Sequence, residues 1–319
     1  MAAHKVHSSL MDRLPSVRGC LQEHVAMSKF TWFRVGGEAE VLFLPADQQD
    51  LSDFLAQLSA EILVTVIGIG SNLLVRDGGI DGVVIRLGGG FNSVDVIDGN
   101  RVRAGAAAPD IFVAKRALQS SLAGLEFMRG IPGSVGGALR MNAGAYGREI
   151  KDVLIESTVI DRQGLLHTLS VDEMGLSYRH SQVPDDYILV EAVFQARPGA
   201  ADKIDALMNE VTSARESSQP VRSRTGGSTF KNPDPEISLG KSAWQLIDQA
   251  GCRGLIIGDA QVSEQHCNFL INRGDATAAD LEKLGETVRS EVEKDTGIKL
   301  EWEIRRIGRP LNSEAGRYG

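Results

Sequence analysis

The spacing of apolar and polar positions changes along the first part of the chain. VLFLP and EILVTVIG are short apolar runs typical of buried strands, and DQQDLSDFLAQLS between them places its apolar residues at helical spacing behind Asp47. From Gly82 the runs shorten to GVVIRL and SVDVIDGNRVRAG, in which DGN predicts a hairpin. The pattern therefore predicts alternating strand and helix, followed by short paired strands.

A further helix and three strands continue this unit. PDIFVAKRALQSSL predicts a helix that begins near Pro109, and KDVLIESTVID, LLHTLS and YILVEAVFQA predict strands, the first two joined by RQG. We interpret residues 28–198 as one α+β domain with subdomains of about 28–85 and 86–198. Residues 1–27 are polar and irregular, which predicts an N-terminal arm or a short helix.

A different pattern begins after RPGAAD. ADKIDALMNEVTSARES predicts a long helix, SAWQLIDQAG a shorter helix, and NFLIN a strand. Thr277 with Asp280 resembles a capping box at the start of another helix, and IKLEWEIRRIG predicts a closing strand. Residues 199–308 are thus expected to form a second, smaller α+β domain, and residues 309–319 a C-terminal tail.

Composition narrows the possible partners and location. The 319 residues carry a net charge of -8, which disfavours a nucleic-acid partner because phosphate contacts need a surplus of Lys and Arg. The first residues lack the apolar segment of a signal peptide, and no apolar run is long enough to span a bilayer. Cys20, Cys252 and Cys267 show no C-x-x-C spacing, and the histidines are scattered, so no metal is expected. We expect a cytoplasmic protein with no membrane partner.

Two glycine-rich stretches are the candidates for ligand binding. GIGSNLL, residues 68–74, starts like a Rossmann fingerprint, but Leu73 occupies the third glycine position and the following residues are extended. RGIPGSVGGALRMNAGAYG spans residues 129–147. Glycines let backbone N–H groups approach an anion closely, and Ser71, Asn72, Ser134 and Asn142 could add side-chain donors. Together the two loops predict a clamp for one anionic ligand.

Two other motifs are rejected on spacing. LGKS ends like a phosphate-binding loop, but Pro235 stands where the first glycine is required. STFK matches the S-x-x-K of penicillin-recognising serine enzymes, yet the chain contains neither S-D-N nor K-T-G.

Seven blocks in order along the chain carry a family resemblance, and the match extends from about residue 30 to 308. They are GIGSNLLVRDGGIDGVVIRL, GLEFMRGIPGSVGGALRMNAGAYG, LSYRHS, GGSTFKNP, AWQLIDQAG, AQVSEQHCNFLIN and LEWEIRRIG. The chain resembles the UDP-N-acetylenolpyruvoylglucosamine reductase family, also called UDP-N-acetylmuramate dehydrogenases, of bacterial peptidoglycan synthesis. Because the chain between YRHS and YILVEAVF is short, it is similar to the subfamily without an extra substrate-gating segment. Arg129 departs from the small residue that relatives often carry there.

The resemblance implies a fold and a cofactor. The expected fold is a two-subdomain FAD-binding domain of the vanillyl-alcohol-oxidase type, residues 28–198, followed by a substrate-binding domain, residues 199–308. FAD would be bound non-covalently, since GIGSNLL and GIPGSVGG contain neither His nor Cys. The residues expected to bind FAD are Gly68, Gly70, Ser71, Asn72, Leu73, Gly130, Pro132, Gly133, Ser134, Gly136, Gly137, Asn142, Gly144 and Gly147.

The resemblance also implies a reaction, in which NADPH reduces UDP-N-acetylglucosamine enolpyruvate to UDP-N-acetylmuramate. Arg179 matches the family's carboxylate-binding arginine, Ser228 its proton donor and Glu303 its acidic partner. Strand alternation alone does not distinguish Glu301 from Glu303, so the motif decides. Tyr178, Lys231 and Asn232 would bind substrate phosphate or sugar, although Tyr178 could instead lie against the flavin.

Two alternative functions remain open from sequence. A different flavin oxidase or dehydrogenase on the same fold would keep both glycine loops without needing GGSTFKNP or LEWEIRR. A nucleotide-binding module without catalysis would hold no yellow chromophore. For the reductase itself we expect a monomer.

Overall fold

The structure is a computed structural model that describes residues 9–311. Its strands are β1 Cys20–Ala26, β2 Glu38–Leu44, β3 Val64–Ile67, β4 Leu73–Val75, β5 Ile80–Arg86, β6 Val94–Ile97, β7 Arg101–Gly105, β8 Leu122–Ala123, β9 Gly144–Ala145, β10 Arg148–Glu149, β11 Leu154–Ile160, β12 Leu166–Ser170, β13 Ile188–Gln195, β14 Arg197–Pro198, β15 Ile256–Ile257, β16 Ala260–Val262, β17 Leu270–Asn272 and β18 Arg305–Ile307. Its α-helices are α1 Gln48–Gln57, α2 Asp110–Gln119, α3 Val135–Arg140, α4 Ala201–Ser218, α5 Pro235–Ser238, α6 Ala243–Gln249 and α7 Ala278–Thr296. Short 3₁₀ helices span Met11–Arg13, Met27–Lys29, Gly89–Phe91, Glu126–Gly130 and Ile150–Asp152.

The first sheet combines parallel and antiparallel strands in the order β1-β2-β5-β3. Helix α1 covers it and begins at the expected cap, because the Asp47 side chain accepts a hydrogen bond from the Asp50 backbone N–H. Phe54 of α1 packs on Phe43 of β2 with ring centroids 4.3 Å apart. The alternation of strand and helix expected for this segment is confirmed.

Strand β1 corrects the expected N-terminal arm. Residues 1–8 lie outside the described part of the chain, but Cys20–Ala26 pairs antiparallel with β2 at the edge of the first sheet. Most side chains of β1 are exposed or half-buried, so the strand lacks the apolar alternation that would identify it in the sequence.

The second sheet is antiparallel throughout, in the order β12-β11-β13-β7-β6. The predicted DGN hairpin joins β6 to β7, with Gly99 and Asn100 at φ 71° and 60°. Helices α2 and α3 pack against this sheet, and their buried residues share one core with it.

Helix α4 corrects the boundary expected at residue 199. Its buried residues Ile204 and Met208 belong to the core of the second sheet, together with Phe127 and Met128. The apolar stripe predicts a helix but does not specify which domain that helix packs against. By packing, α4 therefore extends the FAD-binding half rather than opening the next domain.

The last part of the chain builds a third core and then returns to pair with β4 in a separate two-stranded sheet. Strands β15, β16 and β17 form an antiparallel sheet under α6 and α7, and Thr277 caps α7 in a capping box with Asp280, as expected. The closing strand is shorter than predicted. Only Arg305–Ile307 forms a ladder, parallel to β4, with Arg305 opposite Leu73. This pairing brings β18 beside the first glycine loop.

Candidate active site

A cleft of about 1180 Å³ lies where the three parts of the chain meet. Both glycine loops line it, as do the C-terminal end of α4, the segment around Ser228 and the segment from Glu303 to Ile307. Pockets for drug-sized ligands are about 300–1,000 Å³. The cleft is therefore large enough for a ligand bigger than a typical drug molecule.

Hydrogen bonds hold the first glycine loop to two other segments of the chain. The Gly70 carbonyl accepts a hydrogen bond from Trp32 N at 3.1 Å, and a Cβ on Gly70 would collide with the Phe30 carbonyl oxygen. Asn72 Nδ2 donates to the Glu303 carbonyl at 3.1 Å, so the loop is tied to the segment that carries Glu303. The five predicted residues of this loop all line the cleft: Gly68, Gly70, Ser71, Asn72 and Leu73.

The second glycine loop contains the short helix α3. Its first turn is anchored where Gly136 N donates to the Ala106 carbonyl at 2.9 Å, and a Cβ on Gly136 would lie 3.1 Å from Ala106 Cβ. A Cβ on Gly137 would have only Ser134 Oγ within 4 Å outside its own helix, at 3.9 Å. The predicted residues that line the cleft here are Gly130, Pro132, Gly133, Ser134, Gly136, Gly137 and Gly144.

Asn142 and Gly147 do not line the cleft, contrary to the sequence-based expectation. Asn142 is fully buried; its Nδ2 donates to Glu149 Oε2 and to the Ser177 carbonyl, and its Oδ1 accepts from Lys151 N. The side chain is therefore used inside the protein and has no free donor for a ligand. Its contact with Ser177 instead supports the turn that carries Arg179.

Arg179 lies on a tight turn in which Ser177 and His180 exchange backbone hydrogen bonds. Its φ is 52°, a left-handed conformation that non-glycine residues seldom adopt and that often occurs at functional sites. The Arg179 Nε donates to Glu303 Oε1 at 2.8 Å, and both side chains line the cleft.

Ser228 and Glu303 are brought together by a backbone contact beside the cleft. The Thr229 carbonyl accepts a hydrogen bond from Glu303 N at 2.8 Å, and Phe230 pairs with Trp302. Burial raises the pKa of the Glu303 carboxyl, although the charges of Arg179 and Lys231 act in the opposite direction. Residues 179, 228 and 303, distant in sequence, thus line one cleft.

Tyr178, Lys231 and Asn232 form a separate group beside the cleft and do not line it. Asn232 N donates to Tyr178 Oη at 3.4 Å, and Lys231 Nζ lies 3.5 Å from Glu301 Oε2. Glu301 is exposed, whereas Glu303 lies in the cleft, so the structure separates the two glutamates that alternation left equivalent.

Sequence reasoning missed most of the positive charge in the cleft. Five arginines and two carboxylates line it, in a chain whose net charge is -8. The arginines not identified from sequence are Arg86, Arg140, Arg215 and Arg305. Desolvation lowers the pKa of both Arg140 and Arg215. These four arginines come from four separate segments and share no local motif, so only the fold reveals the cluster.

The Arg129 side chain, which had no expected role, supports the loop from outside the cleft. Its Nε donates to Thr212 Oγ1 of α4 at 3.0 Å. Within residues 9–311, no group of three or more His, Cys, Asp or Glu side chains could hold a metal ion, and no helix is long and apolar enough to cross a membrane.

Comparison with known proteins gives the family. Residues 39–170 match the family model of the FAD binding domain, and residues 219–307 match that of the UDP-N-acetylenolpyruvoylglucosamine reductase C-terminal domain. The chain is 60% identical to the UDP-N-acetylenolpyruvoylglucosamine reductase of Parvibaculum lavamentivorans over 97% of each protein. The chain belongs to the UDP-N-acetylenolpyruvoylglucosamine reductase family. The family's protein from Rhodospirillum rubrum is 56% identical over 100% of both chains.

A solved structure of the same family agrees with the fold. The reductase from Thermus caldophilus is 34% identical and superposes with a TM-score of 0.79, covering 90% of this chain and 99% of that one. The expected α+β fold, an FAD-binding domain followed by a smaller domain, is confirmed, and so is FAD as the cofactor.

The residues present fit FAD. Glycine loops line the cleft from two sides, Gly137 leaves open space beside it, and the arginines supply positive charge for a diphosphate. Ser71, Ser134 and the backbone of both loops would hold the cofactor, with Arg86 or Arg215 available to its phosphates.

Proposed function

We propose that this chain catalyses the NADPH-dependent reduction of UDP-N-acetylglucosamine enolpyruvate to UDP-N-acetylmuramate in peptidoglycan precursor synthesis. One observation carries the proposal: the Arg179–Glu303 ion pair and Ser228 line the same cleft as both glycine loops. The chemistry that FAD supplies when bound is the transfer of a hydride from NADPH to the methylene carbon of the enol ether.

Arg179 would bind and polarise the substrate carboxylate. When a hydride reaches the methylene carbon, the electron pair of the double bond moves toward the neighbouring carbon and into the carboxylate. A planar guanidinium suits that planar anion. Arg179 uses Nε for Glu303 and one Nη2 contact, at 3.5 Å, for the Gly144 carbonyl, and its other N–H groups would be available to the substrate. Glu303 would fix the orientation of the guanidinium.

Ser228 would then deliver the proton that completes the reduction at the neighbouring carbon. A hydroxyl is a weak acid in water, but a carbon centre of this kind is far more basic than an alkoxide. Ser228 Oγ has no hydrogen-bond partner among the described residues, and the side chain lines the cleft. Solvent would return the proton to the serine oxygen, so one hydride and one proton are consumed in each turnover.

Tyr178, Lys231 and Asn232 would bind the phosphate or sugar of the substrate. The support is their position: Tyr178 adjoins Arg179 in sequence, and Lys231 follows Ser228 by three residues. A substrate whose reacting carboxylate lies in the cleft could therefore place its nucleotide part against Tyr178, Lys231 and Asn232.

The test is an absorption spectrum followed by turnover. Purified protein should show flavin bands, NADPH should bleach them, and UDP-N-acetylglucosamine enolpyruvate should restore them. Bleaching by NADPH with recovery only by oxygen or a sugar would indicate a different flavin oxidoreductase. Absence of flavin bands, even after FAD is added, would leave only a nucleotide-binding module.

We further infer that the protein works as a cytoplasmic monomer, with no nucleic-acid partner. The three free cysteines, Cys20, Cys252 and Cys267, agree with a reducing compartment, and the net charge of -8 opposes binding to phosphate backbones. Size-exclusion chromatography with light scattering would test the monomer, for which the expected mass is 34.3 kDa plus one FAD.

A further inference from the structure

The segment that carries Glu303 has two faces. Glu303, Arg305 and Ile307 line the cleft, whereas Trp302 and Arg306 do not line it and contact α7. This is the alternation expected of an extended chain, in which successive side chains point to opposite sides. The proposed mechanism uses only the face toward the cleft, and the contacts behind it have no role there.

Helix α7 has a place for the Trp302 indole at Gly285. A Cβ on Gly285 would collide with the end of the indole ring, so a residue with a side chain does not fit opposite Trp302. Glycine in a helix interior is unfavourable compared with alanine, and the close approach of the indole accounts for it here. The indole also packs on Phe230, with ring centroids 5.1 Å apart. It therefore contacts both α7 and the segment that carries Ser228.

Glu286, the next residue of α7, fixes the orientation of the indole. Trp302 Nε1 donates to Glu286 Oε1 at 2.8 Å, and Arg306 Nη1 donates to the same oxygen at 2.9 Å. The Arg306 guanidinium also lies over the indole, 4.4 Å from the ring centroid. Arg289 donates to Glu286 Oε2 and, through its Nε, to the Leu300 carbonyl at 2.9 Å. One carboxylate of α7 thus holds the chain both before and after the glutamate that lines the cleft.

The charge of Glu286 strengthens these contacts. Burial alone would raise the pKa of its carboxyl, but hydrogen bonds and the nearby arginines hold that pKa below its usual value. The carboxyl is therefore ionised at neutral pH, and hydrogen bonds to an ionised group are stronger than those between neutral groups. Glu282, one turn earlier in α7, accepts from Arg306 and from Arg76, which directly follows β4. The helix is thus also joined to the strand beside the first glycine loop.

We propose that Glu286 is a positioning residue, which acts through Trp302 to fix Glu303 in the cleft. Glu286 does not line the cleft, so its effect on the reaction passes through the chain that it holds. The inference rests on the proposed function, in which Glu303 orients Arg179 toward the substrate carboxylate. Rotation of this segment would move the Glu303 carboxyl away from Arg179, and a displacement of about 1 Å in a reacting geometry can cost about 10²-fold in rate.

The test separates the two half-reactions in Glu286→Ala. In stopped flow, NADPH would bleach the flavin of the purified protein and UDP-N-acetylglucosamine enolpyruvate would reoxidise it; flavin content and melting temperature are measured alongside. We expect reoxidation to slow at least about 10-fold, with the bleaching rate and flavin content of the parent. The Glu286 side chain is 43% exposed, and ion pairs at such positions add little stability, so the melting temperature should change little.

Two further variants isolate the contact with the indole. Glu286→Gln keeps an acceptor oxygen for the indole N–H, so its reoxidation rate should stay within about threefold of the parent. Trp302→Phe keeps an aromatic ring but lacks the N–H, and it should slow reoxidation as Glu286→Ala does. The double variant of Glu286→Ala and Trp302→Phe should be no slower than the slower single variant, because both changes remove the same contact.

Glu291→Ala is the matched control. It removes a glutamate of the same helix that pairs with the exposed Lys294, and it should leave both half-reactions unchanged. A parental reoxidation rate in Glu286→Ala would overturn the proposal, and so would equal slowing in the Ala and Gln variants. Bleaching, reoxidation and flavin content that fall together would make Glu286 structural. If the substrate fails to reoxidise the parent itself, the proposed function is wrong, a result distinct from loss of the Glu286 role alone.

Discussion

Arg179 Nε donates a hydrogen bond to Glu303 Oε1 at 2.8 Å, and this ion pair joins two distant parts of the chain across the cleft. The arginine lies on a turn of the FAD-binding half, whereas the glutamate directly precedes the segment that returns to β4. Both side chains are mostly buried, at 20% and 16% exposure, so the guanidinium is held in one orientation. Oriented charge of this kind stabilises an anion without reorganisation during the reaction.

Replacing Arg179 by Lys should therefore impair turnover despite keeping the charge. Lysine lacks the planar fork and cannot hold Glu303 and a substrate carboxylate side by side. We expect kcat to fall by about 10²-fold or more, as is typical when one oriented donor is lost, with FAD content unchanged. Steady-state kinetics and the flavin spectrum measure the two quantities.

Arg103→Lys is the control for this substitution. Arg103 also pairs with a glutamate, Glu191, but the pair lies on the second sheet away from the cleft. The kcat of Arg103→Lys should equal that of the parent protein. If Arg179→Lys stays within about twofold of the parent, the guanidinium geometry is not used in catalysis.

The sequence identifies local structure better than it identifies which residues come together in the cleft. Asp47 and Thr277 are recognisable because helix caps are short-range patterns, and both begin helices as predicted. Asn142 shows the limit: an amide within a glycine-rich loop resembles a ligand donor, but in the structure its Nδ2 donates to Glu149 Oε2 and to the Ser177 carbonyl, which is 35 residues away in the sequence. The position of a side chain inside or outside the cleft depends on tertiary contacts that local patterns do not encode.

The same limit explains α4 and the arginine cluster. The spacing of Ile204 and Met208 predicts an amphipathic helix. The spacing does not show that the apolar face of this helix packs in the same core as Phe127, which is distant in sequence. Arg86 and Arg215 belong to no recognisable sequence motif. They become candidates for ligand binding only because β5 and α4 end at the same cleft.

Gly136 and Gly137 should respond differently to alanine. A methyl group on Gly137 has only Ser134 Oγ near it and would occupy space beside the cleft, so Gly137→Ala should reduce FAD content with little change in melting temperature. A methyl group on Gly136 would press on Ala106, so Gly136→Ala should lower the melting temperature of the FAD-free protein as well. Flavin absorbance per protein and thermal unfolding of FAD-free samples test both. Full flavin content in Gly137→Ala would contradict the placement of FAD on this loop.

Arg215 should bind an anionic ligand from α4. Its charge is desolvated, and no acidic side chain pairs with it among the described residues. Arg215→Met keeps the length and removes the charge, so affinity for FAD or KM for the UDP substrate should worsen by about 10- to 100-fold. Arg222→Met makes the same change at an exposed residue outside the cleft and should alter neither. Equal behaviour of the two variants would exclude an anion site at Arg215.

Ser228 should matter for only one half of the reaction. Oxidation of NADPH requires FAD and a nicotinamide site but no proton at a substrate carbon, whereas reduction of the enol ether requires an acid. In stopped-flow experiments, NADPH should bleach the flavin of Ser228→Ala at close to the parental rate. Its reoxidation by UDP-N-acetylglucosamine enolpyruvate should slow by about 10²- to 10⁴-fold, the range expected when a general acid is lost.

The outcome of Ser228→Ala also separates a catalytic serine from a structural one, because the Ser228 backbone pairs with Phe269 and Thr229 anchors Glu303. Damage to this scaffold would displace Glu303, lower flavin content or slow both half-reactions together. Ser228→Cys is the matched variant: it keeps the size and restores a proton donor, so part of the reoxidation rate should return. Normal reoxidation in the alanine variant would move the proton donor to Lys231, Glu303 or a bound water. A slow second half-reaction, rescued by cysteine and accompanied by normal bleaching, is the result that proton donation by Ser228 requires.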